Sequence, residues 1–146
     1  MSDQLYADDL PIGEVIDLGK QSLTHDDIVS FAEQWDPQAF HVDDVAARAG
    51  FFGEVIASGL QTMGVLQRLA VLGAFHRWHI IAGRSIRDVQ LTLAVRAGMQ
   101  LHGTIEITAA APVDISRSLV TLIGRLDHEG QPVLRMETDT YVRRRP

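Results

Sequence analysis

The chain has 146 residues and a formal net charge of −6, with 46% hydrophobic residues, 22% charged residues and no cysteine. These values are typical of one soluble domain, residues 1–146, built around a single core. They exclude disulfides and thiolate metal sites, argue against nucleic-acid binding and leave no apolar run long enough to span a membrane. The acidic N-terminus lacks the features of a secretory signal, so we expect a cytoplasmic protein.

The first third of the chain predicts one short strand followed by a helix. Residues near Gly13 to Leu18 could form the strand. Thr24 is a suitable N-cap for the helix, because its hydroxyl can accept a hydrogen bond from an orphan backbone N–H. Pro37 predicts the end of the helix, since the residue before a proline avoids the α region. Asp36 is therefore expected at the exit of this helix.

Two further helices are predicted before the middle of the chain. Asp43 to Ala49 has the pattern of a short helix closed by Gly50. Ser58 can cap a longer helix from about Gly59 to Leu72. This helix is apolar on most of its sides, which is the pattern of a helix buried in a core.

The second half alternates between apolar and polar residues with the period of a β-strand. Four successive strands in chain order predict an antiparallel meander, and a long apolar helix needs a sheet to cover it. The simplest α+β architecture is therefore a curved antiparallel sheet wrapped around the helix that begins at Gly59. The predicted strands are Val89–Val95, Leu101–Ile107, Leu119–Leu126 and Val133–Val142.

An aspartate and a histidine, Asp36 and His41, lie five residues apart across a proline turn. A carboxylate beside an imidazole is suited to acid/base work on a shared water molecule. The same residues also fit a simpler role, as a helix-end aspartate and a hydrogen-bonded loop histidine. Gly59 adds a second feature, because a glycine at a helix N-terminus presents an N–H that can stabilise an oxyanion.

These residues resemble the MaoC-like acyl dehydratases, a family that includes the R-specific enoyl-CoA hydratases. The resemblance extends over roughly residues 20 to 143, and its motif lies between Thr24 and Met63. It implies a hot-dog fold, in which the sheet is the bun and the central helix the sausage. The segments that carry the resemblance are Leu23–Asp26, Phe31–Asp43, Ala46–Arg48, Phe51–Gly53 and Ile56–Leu60.

The resemblance implies a hydro-lyase of fatty acid metabolism that adds water reversibly to a trans-2-enoyl thioester and forms an R-3-hydroxyacyl thioester. Asp36 and His41 would be the catalytic dyad, and the Gly59 N–H would bind the thioester carbonyl oxygen. No metal and no redox cofactor is implied, because coenzyme A arrives as part of the acyl-CoA substrate. The resemblance also implies a homodimer or a larger assembly built from dimers.

The chain departs from the family pattern at two turns. Asp36 directly precedes Pro37, where family members commonly have Asn before the proline, and Ala94–Met99 stands in place of a Pro-Val-x-Pro-Gly-Asp turn. Two other functions stay open, a hot-dog acyl-CoA thioesterase and a non-catalytic acyl-binding subunit. Thioesterases of several families carry an acid on the central helix, and residues 60–72 contain none.

Several other polar residues are weaker candidates for a role at the site. Gln67 could assist the dyad by its location on the central helix. His76 and His79 have the spacing of some metal ligands but no nearby acid in sequence. Arginine suits bidentate phosphate contacts, so the coenzyme A phosphates could meet Arg84, Arg87 and Arg96.

Overall fold

The computed structural model of the protein describes residues 4–146. Met1 to Asp3, the start of the acidic N-terminus, lie outside the described residues. The helices are α1 (His25–Trp35), α2 (Ala39–Val42), α3 (Asp44–Ala49) and α4 (Gly59–Gly73), with single 3₁₀ turns at Ala7–Asp9 and Phe75–Arg77. The strands are β1 (Val15–Gln21), β2 (Ile80–Leu91), β3 (Leu101–Pro112), β4 (Arg117–His128) and β5 (Gln131–Arg143).

The five strands form one antiparallel sheet in the order β1-β3-β4-β5-β2. The predicted meander of four strands in chain order is wrong at its first member, because β2 pairs with β5 and not with β3. Strand β2 runs from Ile80 to Leu91, so the predicted strand Val89–Val95 includes only its last three residues, and Leu93 and Val95 belong to the following loop. Alternation of apolar and polar residues indicates which face of the sheet each side chain lies on, but it does not indicate which strand is the neighbour of a given strand.

Helix α4 packs on the inner face of the sheet, and small residues in the strands let it approach closely. A Cβ added at Gly124 would lie 2.8 Å from Leu66, and one at Gly103 would lie 2.9 Å from Leu69. Leu66 and Leu69 are both buried. A curved sheet around a central helix is the hot-dog architecture, which confirms the predicted fold class.

One face of α4 remains exposed, contrary to the prediction that its apolar residues are buried on most sides. Leu60 and Leu72 are more than half exposed, and Val71 is 39% exposed. The sheet is open, so it covers the helix on one side only. None of the helices in residues 4–146 is long and apolar enough to cross a membrane.

Candidate active site

Helix α1 begins and ends at the residues expected from the sequence. Thr24 Oγ1 accepts a hydrogen bond from the Asp27 N–H, and the Asp27 carboxylate accepts one from the Thr24 N–H, which forms a capping box. At the other end Asp36 is the C-cap, and its N–H donates to the Ala32 carbonyl. The helix therefore holds the Asp36 backbone from one side, and Pro37 redirects the chain.

His41 lies on α2, a single turn of helix after the proline. The side chain is buried, and its Nδ1 lies 2.6 Å from the Ile56 carbonyl oxygen. Its Nε2 lies 3.3 Å from Asp36 Oδ2. The structure thus brings together the two side chains that the sequence predicted as a dyad.

Ser58 is the third member of this group, and sequence reasoning assigned it only the cap of α4. Its hydroxyl donates to Asp36 Oδ2 over 2.7 Å and accepts from the Leu60 N–H over 3.2 Å. The cap was visible in the sequence, because a serine before an apolar run is a common N-cap. The bond to Asp36 was not, because it spans 22 residues and depends on how α1 and α4 pack.

Hydrogen bonds hold Asp36 in its charged form. The Ser58 hydroxyl, followed by the Gln38 amide on Oδ1 at 2.8 Å, keeps the pKa of Asp36 below its usual value. Partial burial opposes this shift, and the nearby His41 adds a smaller lowering. A carboxylate held by donors on both oxygens is ionised at neutral pH and has a fixed orientation.

The His41 ring has a defined tautomer when it is neutral. A carbonyl oxygen only accepts hydrogen bonds, so Nδ1 carries the proton that is donated to Ile56. The neutral ring then presents the lone pair of Nε2 toward the Asp36 carboxylate. Two acceptors face one another, which is an arrangement that a shared proton or a water molecule with two O–H donors stabilises.

A cleft of about 320 Å³ opens beside His41 and Gly59. Gly59 is the first residue of α4, so its N–H has no acceptor within the helix. A Cβ at this position would lie 2.5 Å from Leu91 Cδ1, which forms the opposite wall of the cleft. The cleft therefore places an N–H donor at the positive end of a helix next to the dyad.

The altered turn at residues 94–99 still supports the cleft. Gly98 keeps the left-handed backbone with φ +83°, and the Arg96 N–H donates to the Met99 sulfur at 3.2 Å. The buried Val95 accepts from the Ala57 N–H through its carbonyl, and its side chain lines the cleft. The loss of the family's prolines and acid therefore leaves this wall in place.

The weaker candidates lie apart from the dyad. Gln67 is exposed and lines a different cavity. His76 Nδ1 pairs with the Val71 carbonyl and His79 stacks on Tyr6. In the described part of the chain, no three His, Asp or Glu side chains come together as a metal site would need.

The three candidate arginines also have separate positions. Arg96 donates to the Phe52 carbonyl and pairs with Glu54, so it holds the loop before α4. Arg87 forms an ion pair with Asp139 on the sheet. Arg84 lines the same cavity as Gln67. Their proposed contact with coenzyme A phosphates stays a prediction.

The arrangement of Asp36, His41 and Gly59 agrees with the comparison to known protein families. Residues 9–125 match the model of the MaoC like domain. The chain belongs to the MaoC-like family. This match extends over the dyad, the Ser58-Gly59 helix start and most of the sheet.

Individual relatives of this MaoC-like protein have similar lengths. It is 30% identical over 116 residues to the uncharacterized protein YdeM of Bacillus subtilis (strain 168), a match that covers 80% of this chain and 82% of YdeM. The MaoC-like dehydratase from Rhodospirillum rubrum, known from a crystal structure, is 31% identical in sequence and superposes with a TM-score of 0.86. The superposition covers 97% of this chain and 99% of that dehydratase.

A hydratase of known reaction type shares the fold. R-Hydratase PhaJ1 from Pseudomonas aeruginosa, in its unliganded form, superposes with a TM-score of 0.78 at 20% identity. The superposition covers 97% of this chain and 88% of the hydratase. At this identity the likeness concerns the fold, and it supports the hot-dog architecture described above.

Proposed function

We propose that this MaoC-like protein catalyses the reversible addition of water to a trans-2-enoyl thioester, giving an R-3-hydroxyacyl thioester. One observation carries the proposal: Asp36 Oδ2 and His41 Nε2 converge to 3.3 Å beside a cleft that Gly59 also lines. The family and its R-hydratase members support the same reaction, and the R configuration is taken from them.

The dyad has the geometry to hold a nucleophilic water. A water molecule has two O–H donors, and the dyad offers two acceptors that face one another. Once both donors are engaged, a lone pair of the water oxygen points away from the dyad toward the cleft. Positioning of this kind, together with proton removal by the dyad, contributes about 10²- to 10⁴-fold to a rate.

The Gly59 N–H would stabilise the charge that develops on the substrate. When water attacks the β-carbon of an enoyl thioester, electrons move through the double bond to the carbonyl oxygen. A hydrogen-bond donor at the positive end of α4 is suited to this enolate oxygen. Because glycine lacks a side chain, the flat thioester can approach this N–H closely.

The proton balance of the reaction is met by the dyad alone. The attacking water loses one proton to Asp36 or His41 as its oxygen bonds to the β-carbon. The dyad returns a proton to the α-carbon, and the enolate collapses to the thioester. No oxidation or reduction occurs, so we propose that the enzyme needs no metal or redox cofactor and takes coenzyme A only as part of its substrate.

A homodimer is the assembly that best explains the exposed edge of β2. This strand is twelve residues long and forms one edge of the sheet, where its outer backbone N–H and C=O groups are unpaired. Ile81, Ile86 and Val89 are exposed along it, beside the exposed face of α4. A second copy paired antiparallel at this edge would cover both surfaces and would leave the dyad of each subunit intact.

The reaction is tested by the loss of enoyl-thioester absorbance with crotonyl-CoA and trans-2-decenoyl-CoA. We expect turnover by the natural sequence and at least a hundredfold loss in Asp36→Asn, which keeps the size of the side chain and its place at the helix end. Release of free coenzyme A thiol without hydration would instead indicate a thioesterase. Binding without either reaction would indicate an acyl-binding subunit.

A further inference from the structure

A second cavity, of about 420 Å³, lies between the later part of α4 and strand β2. Its walls combine apolar side chains with several polar ones. Phe75, Ile80 and Ile86 form the apolar part. The polar part consists of Gln67, Arg84, Ser85, Thr138, Asp139 and Thr140.

Four of these polar side chains have no hydrogen-bond partner within residues 4–146. They are Gln67, Arg84, Thr138 and Thr140, and Thr140 is only 8% exposed. The Asp139 carboxylate differs, because it accepts from Ser85 at 2.5 Å and Thr121 at 2.8 Å and pairs with Arg87. The cavity therefore offers unused amide, hydroxyl and guanidinium groups, and its one carboxylate is already neutralised.

This second cavity and the cleft of the dyad lie in the same gap between α4 and β2. Gly59 and Leu91 border the cleft, whereas Gln67 and Ile86 border the cavity. Gln67 lies eight residues after Gly59 on α4, which corresponds to about 12 Å along the axis. With bonds of about 1.5 Å, an extended chain of roughly ten carbons spans this distance.

Met63 is the side chain of α4 that lies between the two spaces, because it is four residues from both Gly59 and Gln67. It is half-buried, and its side chain is of the most adaptable type. An acyl chain that runs from the cleft to the cavity would therefore pass Met63, which can change rotamer to admit it.

We propose that this cavity receives the far end of the acyl chain and selects acyl groups whose far end carries oxygen, as a hydroxyl or a carboxylate. The inference rests on the proposed hydratase function, because it assigns the thioester end to the cleft. Gln67, Thr138 and Thr140 supply hydrogen bonds to either group, and Arg84 adds a charge that favours the carboxylate. A plain alkyl end would displace water from these polar groups without replacing its hydrogen bonds, which disfavours it.

Three enoyl-CoA substrates of equal length test the inference: trans-2-decenoyl-CoA, its 10-hydroxy derivative and trans-2-decenedioyl-CoA. We expect kcat/KM at least tenfold higher for one or both oxygenated substrates. Gln67→Leu and Thr138→Val should bring the ratio for the hydroxylated substrate close to one. Arg84→Met should do the same for the dicarboxylic substrate, and Gln67→Leu and Thr138→Val should retain activity on crotonyl-CoA.

Arg68→Met is the matched control, because Arg68 is exposed on α4 next to Gln67 but does not line the cavity. It should leave every ratio unchanged. Equal rates for the three long substrates, or a preference for decenoyl-CoA, would overturn the inference while turnover of crotonyl-CoA left the hydratase function standing. Absence of turnover with all substrates, crotonyl-CoA included, would reject the proposed function and this inference together.

Discussion

Two regions of the molecule differ in how many of their side chains are hydrogen-bonded or buried. One is the dyad corner, which consists of Asp36, His41, Ser58 and Gly59. The other is the open side, which consists of the outer edge of β2 and the exposed face of α4. In the corner, Asp36 accepts hydrogen bonds on both oxygens and His41 is anchored to Ile56. On the open side, apolar side chains are exposed and several polar ones have no partner in the part of the chain that the structure describes.

This difference in hydrogen bonding and exposure indicates that the corner serves catalysis and the open side serves binding. The hydrogen bonds of Asp36, His41 and Ser58 fix side-chain orientation in the corner before substrate arrives, which is what acid/base catalysis requires. An open side with exposed apolar residues is suited to a second subunit and to the substrate chain. Variants in the corner should therefore change the reaction and leave assembly intact, whereas variants on the open side should change subunit association or the choice of acyl chain and leave the dyad intact.

The largest expected effect is the loss of activity in His41→Ala. Removal of the ring eliminates one of the two acceptors for water, so we expect a loss of about 10²- to 10⁴-fold in hydration of crotonyl-CoA. His25→Ala is the matched control, because His25 also pairs with an aspartate, Asp44 at 2.8 Å, but is exposed and remote from the cleft. Equal losses in both variants would reject the dyad.

The second effect is a weakened subunit association in Ile81→Lys. A lysine at this edge would bury an unpaired charge on pairing, and a penalty of about 3 kcal/mol corresponds to a Kd raised roughly hundredfold. Sedimentation velocity across a concentration series measures this change. Val15→Lys on the opposite edge strand is the control, since Val15 is similarly exposed at 55% against 46% for Ile81. A dimer that persists in Ile81→Lys would place the interface elsewhere.

A third effect, on the corner again, is a raised pKa of Asp36 in Ser58→Ala. The Ser58 hydroxyl is the largest cause of the lowered pKa, so its removal should move the titration of Asp36 upward. At a given acidic pH more of the carboxyl is then protonated, and the acid limb of the activity profile moves to higher pH. Carbon-13 NMR of the side-chain carboxyl measures the pKa directly, and an unchanged value would contradict this role of Ser58.

The smallest effect is expected for Thr24→Ala at the start of α1. Loss of the N-cap should lower the free energy of unfolding by about 1 kcal/mol, and urea denaturation measures it. Because Asp36 lies at the other end of the helix and is held by Ser58 and Gln38, hydration activity should stay within about twofold at 25 °C. A large loss of activity would show that the corner depends on the cap of α1.

Much of the fold was predictable because its signals are local. The cap at Thr24, the helix end at Pro37 and the helix start at Ser58 all lie where the sequence predicted them. Between Pro37 and Gly50 the sequence predicted one helix, Asp43–Ala49. The chain also forms a separate turn of helix at Ala39–Val42, which was not predicted and which carries His41. That turn is stabilised by tertiary contacts, since a four-residue helix has little stability alone.

The sequence by itself determined the capped helices, the strands β3, β4 and β5 and the candidate dyad, because each depends on residues close together in the chain. Only the tertiary structure decided that β2 lies beside β5, that Ser58 bonds Asp36, and that one face of α4 stays open. These features join residues distant in sequence. Their pairing depends on which surfaces pack together with the least loss of hydrogen bonds and the greatest burial, and no local pattern in the chain specifies that.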